Sequence, residues 1–196
     1  MGEIDLHIHT SASDGVFSPA EVVEMAGRLG VHALAITDHD TVAGLEEGMR
    51  AAGPEVRVIP GVEISAEQDG VQVHLLGYHI DHRAPVLVEG LERFSAARLE
   101  RACSILDRLD DLGIALPREQ LCGAGQDGSI GRPHIARLLM EQGYVSSVEE
   151  AFGRYLNYGQ KAYVPRPKVS PVGAMEMIHQ AGGLAVLAHP WSVTFM

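Results

Sequence analysis

The first part of the chain alternates short apolar runs with amphipathic stretches of helical period. The apolar runs have the length and residue types of β-strands, and we predict strands at 4–9, 33–37, 56–65 and 71–78. Asp69 and Gly70 form a turn between the last two runs, which predicts a hairpin. Between the first three runs, apolar residues recur at helical spacing. Strand–helix–strand order of this kind predicts a mainly parallel α/β architecture.

The helical stretches carry recognisable start and stop signals. Ser18 and Glu21 form a capping box for the first helix, which Gly30 ends. Helical spacing predicts further helices at 41–52, 85–116, 131–143, 147–158 and 171–181. The Gly-rich segment 121–131 is predicted as a loop, and a last strand is predicted at 184–189. The strand–helix pattern therefore resumes after a helical middle part.

Composition and charge narrow the class of partner. The net charge of −11 argues against binding to long duplex nucleic acid, which needs a basic surface. A small phosphorylated substrate remains compatible, because metal ions and a few placed Arg or Lys residues can supply local positive charge. No apolar run approaches the roughly 18 residues of a membrane span, and no secretory signal precedes Ile4. Cys103 and Cys122 stand far apart, which favours a reducing cytoplasm.

Histidine and carboxylate residues occur at or near the ends of the predicted strands. His7 and His9 are two residues apart in the first strand, so their side chains share one face. Further candidates lie in later strands or in the loops that follow strands, and they are Asp14, His39, Glu63, His74 and His189. For any one of them, a turn, a helix cap or a hydrogen-bonded core residue is the ordinary explanation.

Together, the seven side chains predict a metal centre. In an α/β barrel the carboxyl ends of the strands meet on one face, so ligands from different strands converge there. A mixture of imidazole nitrogen and carboxylate oxygen suits Zn²⁺, Mn²⁺ or Fe²⁺ better than Ca²⁺. Seven candidates exceed the four ligands of one tetrahedral ion, so we expect two or three divalent ions. Such a group of ions activates water and binds a phosphoryl oxygen at once.

Four motifs resemble those of the PHP (polymerase and histidinol phosphatase) superfamily. They are Asp5-Leu6-His7-Ile8-His9-Thr10, Ile36-Thr37-Asp38-His39-Asp40-Thr41, Ile59-Pro60-Gly61-Val62-Glu63-Ile64-Ser65 and Ala188-His189-Pro190. The resemblance implies a distorted seven-stranded β/α barrel that holds a trinuclear metal centre. It also implies the seven ligands named above, with Glu63 bridging two ions.

The resemblance also implies how the chain is organised. Members of the family continue past the His-Pro motif to an Asp and a His that complete the centre, whereas this chain stops soon after Trp191. A complete β/α barrel typically needs about 250 residues. We therefore expect an incomplete barrel, with its first part at 1–82, a helical insertion on the substrate side at 83–168, and a return to the barrel at 169–196.

The insertion narrows the resemblance to bacterial phosphoesterases of nucleotides, which include 3′,5′-nucleoside bisphosphate phosphatases and 5′-to-3′ exoribonucleases. Its similar segments are Gly131-Arg132-Pro133-His134-Ile135-Ala136-Arg137, Gly143-Tyr144-Val145 and Lys161-Ala162-Tyr163-Val164-Pro165. The resemblance implies that Arg132 and His134 contact the substrate phosphate as catalytic and binding residues. Free N–H groups at a helix start and the fork of a guanidinium both favour anions. Lys161 and Arg166 are weaker candidates for phosphate binding.

The sequence therefore predicts a metal-dependent phosphoesterase that acts on a nucleotide or on the 5′ end of a short RNA. A histidinol-phosphate-type phosphatase is one alternative, which the helical insertion disfavours. A second alternative is a catalytically inactive PHP fragment that binds metal, because a final segment is missing. The native metal and the oligomeric state stay open.

Overall fold

The structure is a computed structural model, and it describes residues 3–69, 71–124, 130–165 and 169–192. Its elements are β1 Glu3–Ile8, α1 Pro19–Leu29, β2 Val31–Ile36, α2 Leu45–Ala51, β3 Arg57–Gln68, β4 Val71–Tyr78, α3 Pro85–Asp111, α4 Arg118–Ala124, α5 Arg132–Glu141, α6 Val148–Ala151 with a π-helical continuation at Phe152–Leu156, α7 Pro171–Gln180 and β5 Leu184–Leu187. The chain divides into two compact units, the first formed by 1–93 with 168–196 and the second by 94–167.

The first unit contains a five-stranded sheet in the order β1-β2-β3-β4-β5. β1, β2 and β3 are parallel, whereas β4 is antiparallel to both β3 and β5. The prediction of a mainly parallel sheet is thus correct only for the first three strands. The predicted hairpin explains the difference: β3 and β4 are joined through Asp69, which has a positive φ of 52°, and a tight turn joins only antiparallel strands.

The sheet curls strongly, so that its two edge strands approach each other. In a flat sheet the first and fifth strands would lie about 19 Å apart, because neighbouring strands are spaced by about 4.8 Å. Instead, the rings of His7 in β1 and His189, just after β5, have centroids 5.7 Å apart. Tyr78 in β4 also donates a hydrogen bond of 2.9 Å to the carbonyl oxygen of Leu6 in β1. The sheet is the curled wall of an incomplete barrel, as the sequence predicts.

Helices cover the sheet of the first unit. α1 and α2 pack against β2 and β3, and α7 packs against β3, β4 and β5. The largest fully buried side chains of this core are Leu34, Ile36, Leu45, Ile64, Leu87 and Ile178. Gly77 in β4 lets α7 approach closely, because a Cβ there would lie 3.0 Å from the Ile178 side chain. This packing fixes the strand ends from which the candidate site is built.

The second unit is helical and has its own apolar core. Ile105 and Leu109 of α3 belong to a buried cluster with Ile135 and Leu139 of α5. α3 begins in the first unit and continues into the second, which starts at residue 94.

Some helix boundaries differ from the predicted ones. α2 begins at Leu45 instead of residue 41, because the Thr41 hydroxyl accepts a hydrogen bond from the Ala43 N–H and shapes a turn. α3 ends at Asp111 instead of residue 116, since Gly113 adopts a left-handed conformation with φ of 78°. α4 occupies 118–124, although a loop was predicted from residue 121. Within the described residues, no helix has both the length and the apolar character needed to cross a bilayer.

Candidate metal centre

Glu63 lies at the middle of the cluster, with its side chain only 1% exposed. One carboxylate oxygen, Oε2, lies 3.1 Å from His7 Nε2, 2.8 Å from His9 Nε2 and 3.2 Å from His39 Nδ1. The other oxygen, Oε1, lies 2.9 Å from His74 Nδ1 and 3.1 Å from His189 Nε2. Five of the predicted imidazoles therefore surround one buried carboxylate, and they divide between its two oxygens.

β1 supplies the first two imidazoles. His7 lies near the end of β1 and His9 just after it, and strand alternation turns both rings to one side. Their Nε2 atoms are 3.3 Å apart, and their ring centroids are 5.2 Å apart.

His39 reaches the cluster because the segment after β2 continues along β3. A parallel bridge pairs His39 with Glu63, the Asp40 N–H donates to the Glu63 carbonyl at 2.9 Å, and the Glu63 N–H donates to the Asp38 carbonyl at 3.1 Å. Asp40 has a positive φ of 50°, a conformation that a non-glycine residue adopts at some cost. Its carboxylate accepts hydrogen bonds from the Ser65 N–H and hydroxyl at 2.9 and 3.3 Å, which hold this turn against β3.

Asp14 comes from the loop after β1. Its Oδ1 lies 2.8 Å from His9 Nδ1, and its Oδ2 lies 3.9 Å from His39 Nε2. The loop folds tightly back on the end of β1, because the N–H groups of Ser13 and Gly15 both donate to the Thr10 carbonyl, at 3.0 and 2.9 Å. A Cβ at Gly15 would lie 2.5 Å from the His9 carbonyl oxygen, so only glycine fits at this point.

His74 and His189 complete the cluster from β4 and from the segment after β5. His74 lies opposite Ser65 in the antiparallel pairing of β3 and β4, which turns its ring to the same face as Glu63. His189 follows β5 with a positive φ of 26° and precedes Pro190. Its ring is 5.1 Å from the His74 ring and stacks on His7 at 5.7 Å.

The carboxylates and imidazoles change one another's protonation. Burial lowers the pKa of His9, but hydrogen bonds to Asp14 and Glu63 outweigh this effect and raise it to about 10. Burial raises the pKa of Glu63, but hydrogen bonds from His74 and His9 and the charge of His39 outweigh it and hold the pKa well below its usual range. Burial, together with the negative charge of Glu63, raises the pKa of Tyr78.

The donor atoms suit divalent ions. Three overlapping groups each offer donor atoms within 4.8 Å of one another: His7 with His9 and Glu63, His9 with Asp14 and His39, and His39 with Glu63 and His74. Two neighbouring ligands at about 2.1 Å from one octahedral ion are about 3.0 Å apart. The nitrogen–oxygen separations of 2.8–3.2 Å around Glu63 match that spacing. The mixed nitrogen and oxygen donor set fits Zn²⁺, Mn²⁺ or Fe²⁺.

The phosphate candidates lie in the second unit. Arg132 begins α5, donates a hydrogen bond from Nη1 to the Leu156 carbonyl at 3.1 Å and lies over the Phe152 ring at 5.5 Å. Burial lowers the pKa of Arg132, and the nearby charge of Arg98 acts in the same direction. The Gly131 N–H donates to His134 Nδ1 at 3.1 Å, so a neutral His134 carries its proton on Nε2.

The other two phosphate candidates are less informative. Lys161 is exposed in a turn of the second unit. Arg166 lies outside the described residues. Sequence reasoning did not identify Asp38 and Asp40 as supports of the site, although both are buried, with 1% exposure. Their signal was the density of polar residues in Thr37-Asp38-His39-Asp40 directly after an apolar strand.

A curled α/β barrel wall with imidazoles and carboxylates at its strand ends is the architecture of metal-dependent hydrolases built on barrels. Within that class, the chain belongs to the PHP domain family, whose sequence profile matches residues 5–164. The family resemblance drawn from the motifs is thereby confirmed.

Individual relatives narrow the comparison. The chain is 42% identical over 187 residues to a 5′-3′ exoribonuclease of Haemophilus influenzae, covering 95% of this chain and 68% of that protein. It is 37% identical over 192 residues to a 3′,5′-nucleoside bisphosphate phosphatase of Chromobacterium violaceum, covering 97% and 67%. A solved structure of a Bifidobacterium adolescentis protein assigned as a metal-dependent phosphoesterase matches with a TM-score of 0.89 and 33% identity over 96% of this chain and 67% of that one. The chain spans 64–68% of the length of four curated relatives.

Proposed function

We propose that this chain binds two or three divalent ions (Mn²⁺, Zn²⁺ or Fe²⁺) and hydrolyses phosphate esters of nucleotides. The observation that carries the proposal is the convergence of six side chains on or beside the buried Glu63 carboxylate. The substrate is a 3′,5′-nucleoside bisphosphate, the 5′ end of a short RNA, or both, as the names of the relatives suggest.

The ligands are His7, His9, Asp14, His39, Glu63, His74 and His189. Glu63 is suited to bridge two ions, because its two oxygens face different sets of imidazoles. Asp14 serves a third position together with His9 and His39. When bound, the ions would lower the pKa of a water molecule and neutralise the phosphate oxygens.

Arg132 and His134 are proposed to contact the substrate phosphate. Arg132 is held by the Leu156 carbonyl and the Phe152 ring, and a guanidinium can make a bidentate contact with phosphate oxygens. His134 offers an Nε2–H donor to an oxygen of the phosphate or of the leaving group, because Nδ1 already accepts from Gly131. Lys161 and Arg166 are proposed as weaker contacts. The net charge of −11 favours such a small substrate over a long duplex. A cytoplasmic location stays a prediction.

The test compares hydrolysis of 3′-phosphoadenosine 5′-phosphate, short 5′-phosphorylated RNA and histidinol phosphate by the purified protein with Mn²⁺. We expect phosphate release from 3′-phosphoadenosine 5′-phosphate or nucleotide release from 5′-phosphorylated RNA, and loss of both after chelation. Arg132→Ala should lower kcat/KM by about 10²-fold, the cost of losing one charged transition-state contact. Arg118→Ala is the matched control, because Arg118 pairs with Asp107 and Asp110 on the surface of the same unit.

Three outcomes would contradict the proposal. Faster hydrolysis of histidinol phosphate than of the nucleotides would favour the alternative of a histidinol-phosphate-type phosphatase. Fewer than two tightly bound ions per chain, together with no hydrolysis, would favour a non-catalytic metal-binding fragment. Equal loss of activity in Arg132→Ala and Arg118→Ala would contradict the proposed contact of Arg132 with the substrate phosphate.

A further inference from the structure

Asp38 is a buried residue whose carboxylate contacts the loop that leads from β1 to Asp14. It is 1% exposed. Its Oδ1 accepts hydrogen bonds from the Thr10 N–H at 2.7 Å and the Ser13 hydroxyl at 2.6 Å, and its Oδ2 accepts one from the Thr10 hydroxyl at 2.7 Å. A buried carboxylate is costly unless its oxygens are satisfied. These three donors all belong to one loop, the loop that leads to Asp14.

The loop is buried and hydrogen-bonded where Asp38 contacts it. Thr10 is fully buried and Ser13 is 3% exposed. The Thr10 hydroxyl also accepts from the Ala12 N–H at 3.1 Å, and the Thr10 carbonyl accepts from both Ser13 and Gly15. Asp14 lies between these last two residues, so its position follows from the contacts of Thr10 and Ser13 with Asp38.

The backbone of Asp38 belongs to the same assembly. Its carbonyl oxygen accepts the Glu63 N–H at 3.1 Å, and the next residue is His39. One residue therefore connects the loop of Asp14 with the segments of His39 and Glu63. Asp14 and Asp38 are 24 positions apart in the sequence, and the contact of Asp38 with Ser13 brings their segments together.

We infer that Asp38 is a positioning residue, which fixes Asp14 for the divalent ion that Asp14 shares with His9 and His39. The inference rests on the proposed metal centre. Hydrogen-bond partners of metal ligands typically contribute 10- to 100-fold, in order of magnitude, to metal affinity. Asp38 acts one step further back, by placing the backbone that carries the ligand.

The experiment is a Mn²⁺ titration of the whole chain, in which free Mn²⁺ is counted by electron paramagnetic resonance. Asp38→Asn should weaken one class of site by about 10- to 100-fold and leave the other class within about threefold of the wild type. In a background of Asp14→Ala, the same substitution should change the affinities by less than about threefold, because the ligand through which it acts is absent.

Asp40→Asn is the matched control for this double-mutant cycle. Asp40 has the same charge and the same 1% exposure, but it holds Ser65 on β3. Its effect should persist unchanged when Asp14 is replaced. Thermal unfolding with a chelator should show that the Asp38→Asn protein is folded before any ion is added.

A second pair of variants tests the same contact from the other side. Thr10→Val removes the hydroxyl that donates to Asp38 and should weaken the same class of site, whereas Thr10→Ser keeps the hydroxyl and should retain wild-type affinity. Equal weakening of all sites in Asp38→Asn, or an unchanged effect of Asp38→Asn without Asp14, would overturn the inference and leave the metal centre standing. Absence of Mn²⁺ binding by the wild-type chain would overturn both.

Discussion

Binding of metal to this chain should release a proton from His9. His9 faces two carboxylates, with its Nδ1 at 2.8 Å from Asp14 and its Nε2 at 2.8 Å from Glu63. These contacts raise the pKa of His9 to about 10 despite its burial. An imidazole that coordinates a metal ion does so through an unprotonated nitrogen, so the ion must displace a proton from the ring.

The size of the effect follows from the pKa. At pH 8 a group with a pKa of about 10 is ~99% protonated, whereas an imidazole with the ordinary pKa of about 6.5 is ~3% protonated. Loading with Mn²⁺ at pH 8 should therefore release about one proton per chain through His9. The apparent affinity for Mn²⁺ of the sites that use His9 should also rise about tenfold for each pH unit up to that pKa.

The assay is calorimetric titration of chelator-treated protein with Mn²⁺ in two buffers of different ionisation enthalpy, from which the number of released protons is obtained. Asp14→Asn removes one carboxylate partner of His9 and should reduce the release. His32→Gln is the control, because His32 is exposed near the start of β2, where its Nδ1 contacts the Gly30 carbonyl. Ions that bind with release of less than about 0.3 proton per chain would refute the reasoning.

Two further predictions follow from the same loop and the same histidine. Gly15→Ala should lower the free energy of unfolding, measured in urea, by about 1–3 kcal/mol and weaken Mn²⁺ binding, since the new Cβ meets the His9 backbone at 2.5 Å. Gly53→Ala is the control, because a Cβ there has nothing within 4 Å, and its free energy of unfolding should stay within about 0.5 kcal/mol of the wild type. The pKa of His9 is higher in the folded chain than in the unfolded chain, so its stabilising contribution is complete below pH 6.5 and is lost as the pH rises through about 10. The free energy of unfolding of the wild type and of His9→Gln should be measured in urea with a chelator. The difference between the two proteins should shrink by roughly a few kcal/mol between pH 6.5 and 9.5. A difference that stays constant over this range would contradict the prediction.

Local periodicity explains why the sequence identified the cluster. His7 and His9 must share a face because they are two apart in a strand, and Glu63 is conspicuous because a carboxylate is costly within a buried strand. The hairpin at Asp69 was visible for the same kind of reason, since turn residues separate two apolar runs. What was predictable is therefore what a few neighbouring residues determine.

The parts that escaped prediction depend on partners far along the chain. The carboxylates of Asp38 and Asp40 bind Thr10 and Ser65, and no local rule identifies such partners. The curl of the sheet also depends on contacts between distant segments, such as Tyr78 with Leu6. Helix α4 was missed because Gly-rich residues follow it, although Leu121 is buried in the second unit's core.

The curl gives the candidate ions a structural role as well as a chemical one. β1 and β5 are the two edges of the sheet and are not neighbours in it, yet His7 and His189 stack within 5.7 Å beside one carboxylate. Their apolar residues Ile4 and Leu184 are 65% and 64% exposed, so burial contributes little to holding these edges together. Ligands from both edges reach Glu63, so ions bound there would connect β1 to β5 and favour the curled sheet over any flatter one. Ions that bind only the folded state stabilise it in proportion to the logarithm of their concentration. The free energy of unfolding of the curled sheet should therefore rise with the concentration of the divalent ion.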